Sequence, residues 1–94
     1  MIKLKTPKEI QSLRKGGVLL ARILDEVSLL VAPGVDTGYL NDEALERIER
    51  YRAEPVLLGY QPEFGPRPYP AAICTSINDV VVHGIPNEKP RALK

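Results

Sequence analysis

Several features that define other classes of protein are missing from this sequence of 94 residues. A single cysteine cannot form an internal disulfide, which argues against a small secreted domain and favours a reducing, cytoplasmic setting. No segment has the apolar run of a signal peptide or of a membrane span of about 20 residues, so we expect neither export nor membrane insertion. The net charge of +1 is far from the basic excess that nucleic acid or an anionic membrane selects, so we expect neither as a partner.

The common catalytic and cofactor motifs are absent as well. The sequence contains no GxxxxGKS or GxxxxGKT, no GxGxxG, no GxSxG and no HExxH. These absences remove the signatures of a P-loop, a dinucleotide fold, a hydrolase elbow and a zincin helix. One histidine and one cysteine, accompanied only by carboxylates on predicted helix faces, are too few to assemble a complete metal site.

The composition that remains is that of one globular domain. Hydrophobic residues make up 44% of the chain and charged residues 27%, which is close to the ordinary balance for a protein that buries a core. The length provides for one modest domain and not for several.

A capping box predicts the first helix. Thr6 supplies the N-cap hydroxyl, Pro7 takes the first helical position and Glu9 the third. The helical pattern continues for more than six turns until Pro33-Gly34, and Gly16-Gly17 leaves room for a close neighbour. Its apolar stripe, which needs another helix or a sheet against it, consists of Ile10, Leu13, Gly17, Leu20, Leu24, Val27 and Val31.

A second helix is predicted from Asp36-Thr37 to a stop at Ala53-Glu54-Pro55. Apolar residues again recur at helical spacing, at Leu40, Ala44, Leu45, Ile48 and Tyr51. The charged residues predict a solvated face, with a docking surface as the alternative, and they are Asp42, Glu43, Glu46, Arg47, Glu49 and Arg50.

A proline-rich loop follows. Four prolines fall within residues 62–70, together with Phe64 and Tyr69 and close to Tyr60. Prolines reduce the conformational entropy of the unfolded loop and favour a fixed shape. The aromatic residues therefore either line a pocket or cover the core as part of a connector, and the spacing disfavours a repeated PxxP ligand.

Two β-rich runs, residues 71–77 and 80–82, are joined by Asn78-Asp79 and predict a hairpin. The only histidine, His83, would end the second strand beside Gly84. It is a candidate for proton transfer or hydrogen bonding at neutral pH, with a structural hydrogen-bonding role as the alternative. Cys74 is most simply a buried small hydrophobe, and a nucleophilic pair with His83 would need the two side chains to meet in space. Residues 87–94 show no closing element.

One stretch of the chain resembles a known family. Cys74-x-Ser76-x-Asn78 followed by Val-Val-His-Gly-Ile-Pro at residues 81–86 resembles the first-half signature of the bacterial type I methionine aminopeptidases. The resemblance continues upstream through Tyr69-Pro70, Gly59-Tyr60, Pro33-Gly34-Val35, Thr37, Ala21, Gly16 and Lys5–Ile10. It implies an α+β fold, the N-terminal half of the pita-bread fold of creatinases and aminopeptidases, in which two helices precede a loop and an antiparallel β-hairpin. Residues 1–94 would be the N-terminal portion of a single catalytic domain whose C-terminal metal-binding part is absent.

The resemblance assigns substrate-binding roles to five residues of this chain. His83 would contact the substrate and act in catalysis, as a hydrogen-bond donor that stabilises the transition state. Tyr60, Tyr69 and Cys74 would line the pocket for the methionine side chain, with Leu57 at a further position of that pocket. Aromatic rings and a soft sulfur suit a flexible thioether.

The resemblance also implies cations. The full-length family uses two divalent metal ions (Co, Mn, Fe, Zn or Ni), whose ligands all follow the equivalent of Lys94, so no metal ligand is assigned here and none of these ions is expected to bind. The carbonyl oxygens of Asn78 and Val80 match positions that hold a monovalent cation. Without divalent metals nothing lowers the pKa of the attacking water, and we expect the isolated chain to be inactive.

The enzyme implied by the resemblance removes the initiator methionine from nascent proteins. Its partners would be peptides and nascent chains that begin with methionine, with the ribosome as a further candidate and without direct binding of nucleic acid or membrane. The full enzyme is expected to be a monomer, and self-association is a further expectation for the isolated chain. The alternative function is a non-catalytic binding or assembly module that complements a separate C-terminal half, because the apolar helix stripes need a partner.

Overall fold

Two helices form the frame of the chain. The computed structural model describes residues 2–61 and 67–94, and its helices are α1, Pro7–Ser28, and α2, Thr37–Arg50. Both helices begin where the sequence predicts. The first ends before Pro33-Gly34 because its last turn tightens, with the N–H groups of Leu30 and Val31 donating at 3.0 and 3.2 Å to carbonyls three residues back. Neither helix has the length and apolar character needed to cross a membrane.

Side chains cap both helix N-termini. At α1, the N–H of Glu9 donates to the hydroxyl of Thr6 at 3.2 Å and the N–H of Thr6 donates to the carboxylate of Glu9 at 2.9 Å, which confirms the predicted capping box. The hydrogen bond from the Thr6 backbone lowers the pKa of Glu9. At α2, Asp36 accepts from the N–H of Gly38 at 2.7 Å. Each cap satisfies an N–H that the helix leaves without a partner, and this fixes the starting residue.

A small core lies where α2 covers the C-terminal part of α1. Ile23 and Val27 of α1 pack against Leu40 and Ala44 of α2, and all four side chains are buried. With 14 residues against 22, α2 covers only part of α1. Of the apolar stripe predicted for α1, only Val27 is buried within the described residues. The need of this stripe for a covering helix or sheet stays a prediction, and its other members are exposed: Ile10, Leu13, Gly17, Leu20, Leu24 and Val31.

The glycine pair of α1 has no close neighbour in the described chain. A Cβ added at Gly16 or at Gly17 would meet no atom within 4 Å. No element of residues 2–61 and 67–94 crosses α1 there, so the expectation that this pair admits a close neighbour stays a prediction.

Charged side chains join the two helices beside the core. The guanidinium of Arg47 donates to the carboxylate of Glu43 at 2.6 Å and lies 3.7 Å from that of Glu26 on α1. The hydrogen bond with Glu43 raises the pKa of Arg47. Glu26 also accepts from the hydroxyl of Tyr51 at 2.7 Å, and Arg22 lies 5.5 Å from the centre of the Tyr51 ring. The predicted solvated face is only partly correct, since Arg47 is 14% exposed and bridges the helices, whereas the exposed members are Asp42, Glu46, Glu49 and Arg50.

The C-terminal segment closes the fold against the connection between α1 and α2. Antiparallel pairing joins residues 91–93 to residues 34–37, with the N–H of Leu93 donating to Val35 at 2.8 Å. The buried hydroxyl of Thr37 donates to the carbonyl of Pro86 at 2.8 Å and accepts from the N–H of Arg91 at 3.0 Å. The prediction that residues 87–94 lack a closing element is wrong, because their partners lie far away in the sequence.

Of the predicted hairpin, the structure contains the turn and not the strands. The chain reverses at Asn78, which has a φ of 53°, but residues 2–61 and 67–94 contain no β-strand. A backbone hydrogen bond from Thr75 to Gly84 at 2.7 Å joins the two β-rich runs. Val81 and Val82 are exposed, and a two-stranded pair without a covering layer is marginal, which accounts for the incomplete ladder.

Candidate functional site

A cleft of about 380 Å³ lies between the proline-rich loop and the segment that follows the turn at Asn78. Its wall is apolar and aromatic apart from one histidine and one arginine. The residues that line it are Leu57, Tyr60, Arg67, Pro68, Tyr69, Pro70, His83 and Ile85. Four of the five predicted substrate-binding residues therefore come together in one wall, and the fifth, Cys74, lies beside them.

Backbone hydrogen bonds close the neck of the proline-rich loop. The N–H of Gly59 donates to the carbonyl of Tyr69, and the N–H of Tyr69 donates to that of Tyr60, each at 2.7 Å. Gly59 has a φ of 82°, which glycine adopts without the steric cost that a side chain imposes. The pairing brings both tyrosines to the cleft and favours the interpretation in which loop aromatics line a pocket. Phe64 and the prolines at 62 and 66 lie outside the described residues.

The hydroxyl of Tyr69 connects the loop to both β-rich runs. It lies 2.9 Å from the carbonyl oxygen of Ile73, 3.2 Å from that of Gly84 and 3.4 Å from the sulfur of Cys74. Burial is the main cause that raises the pKa of this hydroxyl, and the contact with Cys74 adds to it. The phenol therefore keeps its proton at neutral pH and acts as the donor that holds the wall together.

Cys74 and His83 meet at the edge of the cleft, where Sγ and Nδ1 are 3.9 Å apart. Cys74 is exposed, so the prediction of a buried small hydrophobe is wrong, because no described layer covers its run. His83 has a φ of 57°, a left-handed conformation that is uncommon for a residue with a side chain and is found at tightly constrained positions. The two groups that a nucleophilic pair requires are adjacent, and both that role and the pocket role of Cys74 stay predictions.

The backbone of Gly84 holds His83 against the opposite run. Its N–H donates to the hydroxyl of Ser76 at 3.1 Å, and its carbonyl accepts from the N–H of Thr75 at 2.7 Å. A Cβ at Gly84 would lie 1.9 Å from the carbonyl oxygen of Thr75, closer than a side-chain carbon can approach. The glycine is therefore required by the approach of two backbones.

The positions predicted to bind a monovalent cation lie at the turn. Asn78 lines a second cavity, of about 720 Å³, together with Ile77 and residues 31–33 and 91–94. Val80 follows in the same turn, where its N–H donates to Ile77 at 3.0 Å. The binding of a monovalent cation by the carbonyl oxygens of Asn78 and Val80 stays a prediction.

Divalent metals do not fit the described part of the chain. Among residues 2–61 and 67–94, no three side chains of His, Cys, Asp or Glu converge as metal ligands do. His83 and Cys74 form a pair without a third donor of these types beside them.

Sequence reasoning missed the charged residue of the cleft. Arg67 lines the wall, and its guanidinium contacts the carboxylate of Glu88 through both Nη atoms, one of them at 2.7 Å. This hydrogen bonding raises the pKa of Arg67 and lowers that of Glu88. The position of Arg67 between prolines in the aromatic loop could have predicted that it lines the cleft. No local sequence pattern predicts its pairing with Glu88.

Comparison with known proteins gives a consistent set of relatives. No family model matches the sequence. Methionine aminopeptidase B from Synechocystis sp. is 46% identical over 86 residues, which cover 92% of this chain and 31% of that relative. Methionine aminopeptidase from Aquifex aeolicus is 43% identical over 88 residues, which cover 94% of this chain and 34% of that relative.

The fold gives the same relationship as the sequence. The crystal structure of methionine aminopeptidase from Rickettsia prowazekii matches with a TM-score of 0.85 and 44% sequence identity, over 100% of this chain and 35% of that chain. The match supports the pita-bread fold that the resemblance implies. The chain spans about a third of the length of the relatives that it matches. In sequence and in fold, the chain is similar to the N-terminal portion of the methionine aminopeptidases.

Proposed function

We propose that this chain supplies the methionine-binding wall and the substrate-contacting histidine of a cytoplasmic methionine aminopeptidase, and that residues 1–94 are the N-terminal portion of its single catalytic domain. The observation that carries the proposal is the shared cleft, which is lined by Leu57, Tyr60, Tyr69 and His83. Residues from separate segments meet in one concave, mostly apolar wall, as a pocket for a small ligand requires.

The cleft suits the side chain of methionine. Two tyrosine rings, Leu57 and Ile85 offer surfaces that a flexible thioether can fill, and a sulfur beside an aromatic ring gains about 0.3–1.5 kcal/mol. Cys74 adds a polarisable sulfur at the edge, 3.4 Å from the hydroxyl of Tyr69. In this proposal the pocket recognises methionine by apolar and sulfur contacts rather than by hydrogen bonds.

His83 is proposed to donate a hydrogen bond to the substrate. Its Nδ1 faces the sulfur of Cys74, which leaves Nε2 to donate to the carbonyl oxygen of the scissile peptide as negative charge develops there. The left-handed backbone of His83 and the close contact between Gly84 and Thr75 fix the position of the His83 backbone before the substrate binds.

The remaining groups of the reaction are assigned outside this chain. The described residues do not fit the two divalent metals (Co, Mn, Fe, Zn or Ni) implied by the family, so we propose that their ligands belong to a part of the enzyme other than residues 1–94. The carbonyl oxygens of Asn78 and Val80 are proposed to contribute to a monovalent-cation site. The substrates of the complete enzyme are proposed to be peptides and nascent chains that begin with methionine.

The purified 94-residue chain is expected to release no methionine from Met-Ala-Ser in the presence of Co²⁺ or Mn²⁺, because its described residues hold no donor set for these ions. Free methionine is measured against a blank that contains the same metal. The control is His83→Ala, purified in parallel. A contaminating aminopeptidase from the expression host would release methionine equally in both preparations. Methionine release by the unmodified chain that the variant lacks would contradict the proposal.

A non-catalytic assembly module is the second candidate, because α1 exposes a row of apolar side chains. Leu13, Leu20 and Leu24 are 61, 65 and 64% exposed. Val81 and Val82, after the turn, are exposed as well. A partner that carries the remaining part of a methionine aminopeptidase would bury these surfaces, with a gain of about 25 cal/mol per Å² of apolar area.

This module is expected to bind a separately produced chain that corresponds to the rest of the Aquifex aeolicus relative. Complex formation is measured by analytical ultracentrifugation, and methionine release is assayed on the mixture. Leu20→Glu is expected to weaken the complex by about tenfold. Arg14→Glu, which places the same charge on an exposed polar position of α1, serves as the matched control. A chain that stays monomeric with the partner present, or that associates only with itself, would contradict complementation.

A further inference from the structure

Arg67 is the only permanently charged side chain among the described residues that line the cleft. The other lining residues are aromatic, proline or aliphatic, together with His83. A pocket for a thioether needs no guanidinium, and a planar guanidinium is well suited to hold a carboxylate through two parallel hydrogen bonds. The proposed function therefore leaves the presence of Arg67 in this wall without a role.

The guanidinium already holds a carboxylate of the same chain. Nη1 and Nη2 of Arg67 contact Oε1 and Oε2 of Glu88, with the second distance at 2.7 Å. The two side chains are 54 and 37% exposed, so the pair is weak and can exchange with a carboxylate supplied from solution.

We propose, building on the function above, that Arg67 is a specificity-determining residue that binds a carboxylate of a methionyl peptide in the cleft, and that Glu88 competes with this carboxylate from within the chain. The methionine side chain occupies the aromatic wall, and the carboxylate lies farther along the peptide. Glu88 keeps the arginine paired in the absence of such a ligand and lowers the apparent affinity for it.

The proposal predicts opposite effects for the two members of the pair. Arg67→Met removes the guanidinium and keeps an unbranched apolar chain against the wall, so the preference for a carboxylate is lost. Glu88→Gln keeps the shape of the competitor and removes its charge, so the preference increases. Lys89→Met changes a charge beside Glu88 without altering a residue that lines the cleft, and it serves as the control.

Binding is measured by titrating the isotopically labelled 94-residue chain with three peptides and following the amide signals of Tyr69, His83 and Ile85 by NMR. Met-Ala-amide carries no carboxylate, Met-Ala carries a terminal one, and Met-Asp-amide carries one on a side chain. We expect at least one carboxylate peptide to bind about two- to fivefold more tightly than Met-Ala-amide at low salt. The two carboxylate peptides distinguish a terminal from a side-chain source. The affinity for the carboxylate peptide divided by the affinity for Met-Ala-amide should fall to about one in Arg67→Met. This ratio of affinities should rise in Glu88→Gln and stay unchanged in Lys89→Met.

The same titrations separate failure of this inference from failure of the proposed function. Equal affinity for all three peptides, or a preference that survives in Arg67→Met, would overturn the role of Arg67 while leaving the methionine pocket intact. A lower preference in Glu88→Gln would overturn the competition. If no methionyl peptide shifts the cleft signals, the methionine pocket and the role of Arg67 both fail.

Discussion

Gly84→Ala is expected to lower the free energy of unfolding by roughly 3 kcal/mol. The new Cβ would lie 1.9 Å from the carbonyl oxygen of Thr75 and 2.6 Å from its carbonyl carbon. Both are backbone atoms, so relief requires separating the two runs and breaking the hydrogen bond from Thr75 to Gly84. His83 precedes this glycine, and its contact with Cys74 at 3.9 Å should be lost as well.

The measurement is urea unfolding followed by far-ultraviolet circular dichroism. Gly17→Ala is the matched control, because an added Cβ in α1 meets no atom within 4 Å there. In an exposed helix interior, alanine is favoured over glycine by about 0.5–1 kcal/mol, so this variant should be more stable than the unmodified chain. Equal stability of Gly84→Ala and the unmodified chain would show that the two runs do not approach as the structure describes.

Asn41→Ala is expected to cost about 2 kcal/mol of unfolding free energy, within the range for leaving a buried donor unsatisfied. Asn41 is 5% exposed on α2, and its Oδ1 accepts from the N–H groups of Ala72 at 2.8 Å and Ile73 at 3.3 Å. These hydrogen bonds tie the start of the first β-rich run to the helix. Truncation leaves the N–H of Ala72, a residue that is 8% exposed, without its acceptor.

Asn87→Ala is the control for this second variant, because Asn87 is exposed and donates one side-chain hydrogen bond to the carbonyl of Pro70 at 3.0 Å. Its cost should stay below about 0.5 kcal/mol, as for most surface substitutions. Both variants are unfolded under the same conditions. Similar losses for Asn41→Ala and Asn87→Ala would mean that burial of the Asn41 amide contributes little, and that α2 does not hold this run.

Sequence signals that act within one turn predicted the helices well. The capping box of Thr6 and Glu9 and the N-cap at Asp36 need only neighbouring residues, and both are present in the structure. The sequence predicted that α1 ends at Pro33-Gly34, whereas the helix ends at Ser28. A tightened last turn ends it before the proline is reached. The N-terminus of each helix is fixed by specific side-chain hydrogen bonds, which neighbouring residues predict. The C-terminus of α1 depends on how the chain turns toward α2.

The buried face of α1 could not be predicted from its periodicity. A stripe at helical spacing shows that a helix has an apolar face, but α2 covers only the C-terminal part and a face that includes Ile23. The pairing of residues 91–93 with residues 34–37 was missed for a similar reason, since polar termini carry no local signal for a distant partner. Cys74 lies in an apolar run, yet it is exposed because no described layer covers that side.

For the candidate site, the family motif identified residues and the fold assembled them. Tyr60, Tyr69 and His83 were predicted from the motif, and the hydrogen bonds at the neck of the loop bring the tyrosines into the wall shared with His83. Arg67 and Glu88 belong to no motif that the sequence displays. Their pairing joins residues that are 21 positions apart in the sequence, and only the packed chain brings them together.

By itself, the sequence determined the starts of both helices, the turn at Asn78 and the similarity to the methionine aminopeptidases, because each rests on residue types within a short stretch. The tertiary structure decided which face of α1 is buried, how the C-terminal segment closes the fold and which residues share the cleft. These depend on long-range contacts, whose free energy comes from burial and hydrogen bonding between segments that the sequence keeps apart.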